Sequence, residues 1–167
     1  MPASSPGNGT AFRRRALVLL TRLRAVPAPA PLPRTAQMRL LLALLEDAVA
    51  AQRTADAAVA ACGEPGPVCG EVARDCGRAS SAFVHLRARL RDLPLTDPDL
   101  VRTRAYAGRL LAYDQWMVHQ SVNLAFTVHP DARTEAARRQ LNGLGRPADD
   151  LRRLWESLKV DRAAQRG

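Results

Sequence analysis

Residues Leu110–Val128 read LLAYDQWMVHQSVNLAFTV, nineteen positions with one formal charge, Asp114. A helix with so little charge around its circumference has no face fit for water, so other helices must surround it. Steps of three and four along it pick out a main stripe, Tyr106, Leu110, Tyr113, Met117, Leu124 and Val128. Ala107, Leu111, Asp114, Val118, Ser121 and Ala125 run alongside that stripe. Trp116 and His119 fall on the opposite side, with Phe126 near its edge.

The flanking sequence supplies the helices that such an element needs. Upstream, Leu95-Thr-Asp-Pro98 is a break, with Asp97 placed to cap and Pro98 at the first helical position of a helix reaching about Val128. Before it, Met38, Leu41, Leu45, Ala48, Gln52, Ala55, Val59 and Cys62 form one stripe of a helix over about 35–62. Gly63-Glu-Pro-Gly-Pro67 ends that helix. Cys69, Val72, Cys76, Ala79, Phe83, Leu86, Leu90 and Leu93 repeat the stripe over about 68–93. Downstream, Pro130 and Asp131 open a short helix to about Leu141, and Gly143 and Gly145 precede a last helix beginning near Pro147. On that last helix Trp155 and Leu158 share an apolar face, suited to covering the Trp116 side. No alternating strand bounded by turn residues occurs. The fold expected is all-α: an antiparallel up-down bundle of three or four helices, with a coiled-coil-like hairpin and short terminal helices.

Charge divides the chain. Met1–Leu45 carries seven arginines and no acid, which accounts for +7 of the net +9. Residues 1–33 therefore read as a basic arm, disordered at its polar start, with a short amphipathic helix over 11–26 and an extended Pro27–Pro33 linker. Residues 34–167 read as the helical-bundle domain. Arg13, Arg14, Arg15, Arg22 and Arg24 make the arm a candidate for nucleic acid or an anionic membrane surface. Arg14–Leu20 has the outline of a twin-arginine export signal, but Arg22 and Arg24 cut its apolar run too short. A cytoplasmic, soluble protein is the expectation, since no segment offers the ~20 apolar residues of a membrane span.

Candidate chemistry is sparse. Cys62, Cys69 and Cys76 recur every seven residues, two helical turns or about 10.5 Å, too far for thiolates to share a metal ion. They read as small core hydrophobes, with Cys62 and Cys69 facing across the hairpin tip as the one pair open to a disulfide. Asp114 points inward and needs an arginine, a tyrosine hydroxyl or a histidine, or else its carboxyl titrates upward. The first alternative makes it half of a structural ion pair. The second makes it the acid of a ligand pocket with Tyr113, Met117 and Ser121. No metal-ligating pair, nucleophile elbow or Gly-rich phosphate loop is present, so no cofactor, metal or catalytic residue is expected. The reading that ranks first is a non-catalytic protein–protein interaction module, an adaptor or regulator, with Trp116 in its contact patch and homodimerisation as one form. Binding through the arm and sensing through an Asp114 pocket stand behind it.

Overall fold

The computed structural model describes residues 31–164. The arm residues Arg13, Arg14, Arg15, Arg22 and Arg24, together with the helix expected over 11–26, lie outside the described residues. Five helices follow: α1 (Arg34–Gly63), α2 (Gly70–Arg91), α3 (Pro98–Ala125), α4 (Ala132–Arg138) and α5 (Arg146–Ala164). Among the described residues there is no strand, and the helices pack against one another as an all-α bundle.

Side-chain pairs show how the helices run. Cys62 meets Cys76, and Asp47 meets Arg89, so α1 and α2 are antiparallel. Ser80 meets His119, and Arg87 meets Gln115, so α2 and α3 are antiparallel in turn. The third side of this up-down-up arrangement brings α1 beside α3 in parallel, through Arg34 with Asp97 and Gln52 with Asp114. Helix α5 lies against both α1 and α3 and closes the core from a fourth side. The α1 stripe from Met38 to Cys62 is buried at every position named above, and the α2 stripe is buried from Cys76 to Leu90. A stripe of three-four steps becomes one continuous core because each facing helix repeats it.

Local signals set the helix ends. Asp97 Oδ1 accepts from the backbone N–H groups of Asp99 and Leu100, and Pro98 occupies the first turn, as the sequence predicts. Asp131 does the same for α4 through Thr134 N–H at 2.7 Å. Helix α3 stops at Ala125, three residues short of the expected Val128, which is 83% exposed.

Two tertiary contacts have no local signature. Gln37, buried on α1, donates to Leu32 O and Thr96 Oγ1 and accepts from the Thr96 and Asp97 N–H groups, pinning the α2–α3 loop with its whole amide. Arg138, 5% exposed, donates to the carbonyls of Cys62, Glu64 and Gly66 at 2.9, 2.8 and 3.3 Å. It thereby satisfies acceptors that the end of α1 leaves without intrahelical partners. Glu135 holds its guanidinium through two bonds at 2.7 and 2.9 Å. The hydrogen bonds of Arg138 in turn hold the Glu135 carboxyl down to about 2. Gly143 has φ +126°, and this conformation presents Leu144 N–H to Asp56 Oδ1 at 2.8 Å; a Cβ at Gly143 would strike the Asp56 carboxylate.

Replacing Arg138 by Met should therefore lower unfolding free energy by about 3 kcal/mol, because buried carbonyls and a carboxylate lose a charged donor. Arg139 also reaches Glu135, at 3.0 Å, but is exposed. The corresponding Arg139→Met change should cost no more than about 1 kcal/mol in the same denaturant titration.

Candidate functional site

Helix α3 presents two faces of different character. Its buried face is Leu100, Ala107, Leu111, Asp114, Val118 and Ser121. Apart from Leu100, this is the set read from sequence as lying alongside the main stripe; Ala125, read with it, is half-buried, and the set forms the seam against α1. The stripe expected to lead is only partly covered: Leu110 is buried and Met117 and Leu124 are half-buried, whereas Tyr106, Tyr113 and Val128 are exposed. The two stripes have similar apolar content, and contact with α1 and α5, not composition, separates them.

Asp114 is 0% exposed. The ion pair expected from sequence does not form. Its partner is the amide of Gln52, which donates Nε2–H to Oδ2 at 2.6 Å. Asp114 Oδ1 and Gln52 Oε1 are both buried with no hydrogen-bond partner among the described residues. Burial lifts the carboxyl well above its usual range, to about 6; the Gln52 bond works against that shift, and the Asp56 charge adds to it. Protonation changes what the pair can do. A neutral Asp114 gains an O–H donor, and the unpartnered oxygen of the amide already bonded to it is an acceptor. An acid and a primary amide can then exchange two hydrogen bonds where the carboxylate and amide exchange one.

The side chains grouped with Asp114 by sequence do not converge on a pocket. Ser121 is buried and donates Oγ–H to Met117 O at 2.8 Å, Met117 is half-buried, and Tyr113 is 42% exposed with its ring against Trp116. His119, on another face, shares a 2.6 Å hydrogen bond with Ser80. The thiols also differ from expectation. Cys69 is exposed at the start of α2, while Cys62 and Cys76, both buried, stand with sulfurs 3.8 Å apart. Burial pushes the Cys62 thiol up to about 12, which keeps it protonated. Among the described residues no three His, Cys, Asp or Glu side chains gather in a metal-binding group.

One open groove of the bundle lies along the seam of α2 and α3. A groove of about 570 Å³ runs there, floored by Val84, Leu90, Ala105 and Ala112 and walled by Arg87 and Arg91 from α2 and Arg104 and Arg109 from α3. No carboxylate lines it. Ala105, Gly108 and Ala112 carry little side-chain bulk, so the α3 side of the groove is shallow, and Leu90 lies in van der Waals reach of Gly108. Beside it Trp116 is 50% exposed, its ring 5.3 Å from that of Tyr113. Of the two readings of the Trp116 side, cover by the last helix or an exposed patch, the second describes Trp116. Trp155 instead faces α1 near Arg39 and Leu42, with the Lys159 ammonium 4.3 Å over its ring. Arg87, Arg91, Arg104 and Arg109 were not singled out by sequence. The signal was present: between Cys76 and Arg91 there is no acid, and between Thr103 and Ala125 the only acid is the inward Asp114. No protein-family profile, characterised protein or solved structure matches this chain.

The buried carboxyl has a definite pH signature. The folded state holds its proton more tightly than the unfolded chain, so its contribution is complete below about pH 4 and is lost as pH rises through about 6. Asp114→Asn keeps the shape and removes the charge. The stability difference between variant and wild type should shift in favour of the variant by about 2.5 kcal/mol from pH 4 to pH 7. Parallel stability curves for the two proteins across that range would contradict the buried-carboxyl account.

Proposed function

We propose that this protein is a non-catalytic interaction module that binds another protein through the α2–α3 face. The observation that carries this reading is the exposed Tyr113–Trp116 pair beside an open groove on a helix whose other side is already core. Large aromatics half in water lose solvent on docking at little conformational cost, which is why they anchor interfaces. The polar groups of the bundle interior favour the same conclusion. Asp114, Gln52 and Ser121 are buried and bond to a neighbouring helix or to backbone, whereas Val84 and Trp116 face outward. A helical frame that presents such a surface suits an adaptor or regulatory role.

A photocrosslinking amino acid placed at Trp116, in the full chain in its native cells, should yield a discrete adduct. The same group at Arg53, exposed on α1, should not. Val84→Glu, an exposed change at the groove floor, should abolish the adduct without lowering the melting temperature by more than a few degrees. Equal, diffuse labelling from both positions would remove this reading.

A further inference from the structure

We infer that the α2–α3 groove receives an amphipathic helix whose apolar stripe is flanked by Asp and Glu. This rests on the interaction reading above and names the partner's chemistry.

Three features of the groove specify that occupant. Between the arginines the lining is aliphatic, Val84 and Leu90 from α2 and Ala105 and Ala112 from α3. From Arg104 to Gln115 it follows α3 for about 16 Å, or three turns of a docked helix. Ser80 and His119 bridge the two walls just beyond. Arginines line both rims, and among the described residues Arg87, Arg104 and Arg109 form no salt bridge, while Arg91 only approaches Asp92 at 3.9 Å, both exposed. Arg104 is held by donating to the Arg91 and Leu93 carbonyls, and Arg109 rests 5.5 Å over the Tyr106 ring. Arg87 donates to Gln115 Oε1 at 2.8 Å, so three of the four rim charges have neutral contacts that place them before any partner arrives. Helix-in-groove recognition needs a stripe of apolar side chains for the floor and charges opposite the rims.

Charge rules out the competing occupants within this chain. The arm, with five arginines and no acid through Pro33, repels the rims. A second copy docked groove to groove would set arginine against arginine. Nucleic acid matches the charge but leaves an aliphatic floor against phosphates and sugars, which bind polar donors instead. A small anion would use one end of the groove and leave the opposite rim unmatched.

The test uses the full chain and a labelled peptide of about 18 residues, with Leu at three-four spacing and Glu on both flanks, long enough for helix formation. Its Lys-for-Glu counterpart serves as a control. The Glu peptide should bind, weaken as salt rises, and move the amide resonances of Gly108 and Ala112. Arg87→Glu combined with Arg109→Glu should weaken it at least about tenfold, and Arg→Gln at positions 13, 14, 15, 22 and 24 should leave it within about twofold. Binding lost only with the arm substitutions, or equal binding of the Lys peptide, overturns the groove assignment. So does preferential displacement of the Glu peptide from the groove by duplex DNA or by vesicles of anionic lipid. Those results leave the crosslinking result at Trp116 standing, so failure of the occupant is distinct from failure of the interaction role.

Discussion

Everything in the bundle is arranged around a helix that carries its one central charge inward. Asp114 sits in the seam between α1 and α3 with a single amide for a partner. Removing a carboxyl from water is unfavourable unless hydrogen bonds replace the lost solvation. One 2.6 Å bond from Gln52 replaces only part of it, and two buried oxygens go unmatched. The pair therefore works against maximal stability. What it contributes is register: Gln52 and Asp114 meet only when α1 and α3 are aligned at one level, whereas Leu and Ala stripes tolerate a slip of one turn. Buried polar pairs have this specifying effect in helical assemblies, where a single polar core position selects one alignment.

Gln37 and Gln52 show the two ways a buried amide can be used on one helix. Gln37 lies at the end of the bundle, where loop carbonyls and N–H groups are free, and every polar atom of its amide is engaged. Gln52 lies mid-helix, where backbone groups are already paired within α1 and α3, so only a side chain can answer it. The difference is positional and not chemical. Arg138 follows the first pattern at the opposite end, where the close of α1 offers carbonyls in need of donors.

The outer surface follows from the same geometry. With α1 and α5 packed against α3, the Gly108 side of α3 faces Leu90 of α2, and the small residues there leave a groove between the longer side chains on either flank. Arginines and aromatics then border an opening that no element of the described residues closes. The surface available for recognition is what remains after the core has taken its faces.

Periodicity alone determined a great deal about this protein. The stripes from Met38 to Cys62 and from Cys76 to Leu90, the Gly-Pro breaks and the Asp97 cap made an all-helical bundle legible, because backbone hydrogen bonding and side-chain phase are local properties. The inward direction of Asp114 was legible for the same reason. Which of two adjacent apolar stripes on α3 became core was not, since that depends on where α1 and α5 lie. Nor was the partner of Asp114, the meeting of Cys62 with Cys76 instead of Cys69, the capping role of Arg138, or the joining of Arg87 and Arg109 across one groove. Each of these brings together residues far apart in the chain, and only packing in three dimensions fixes such distances.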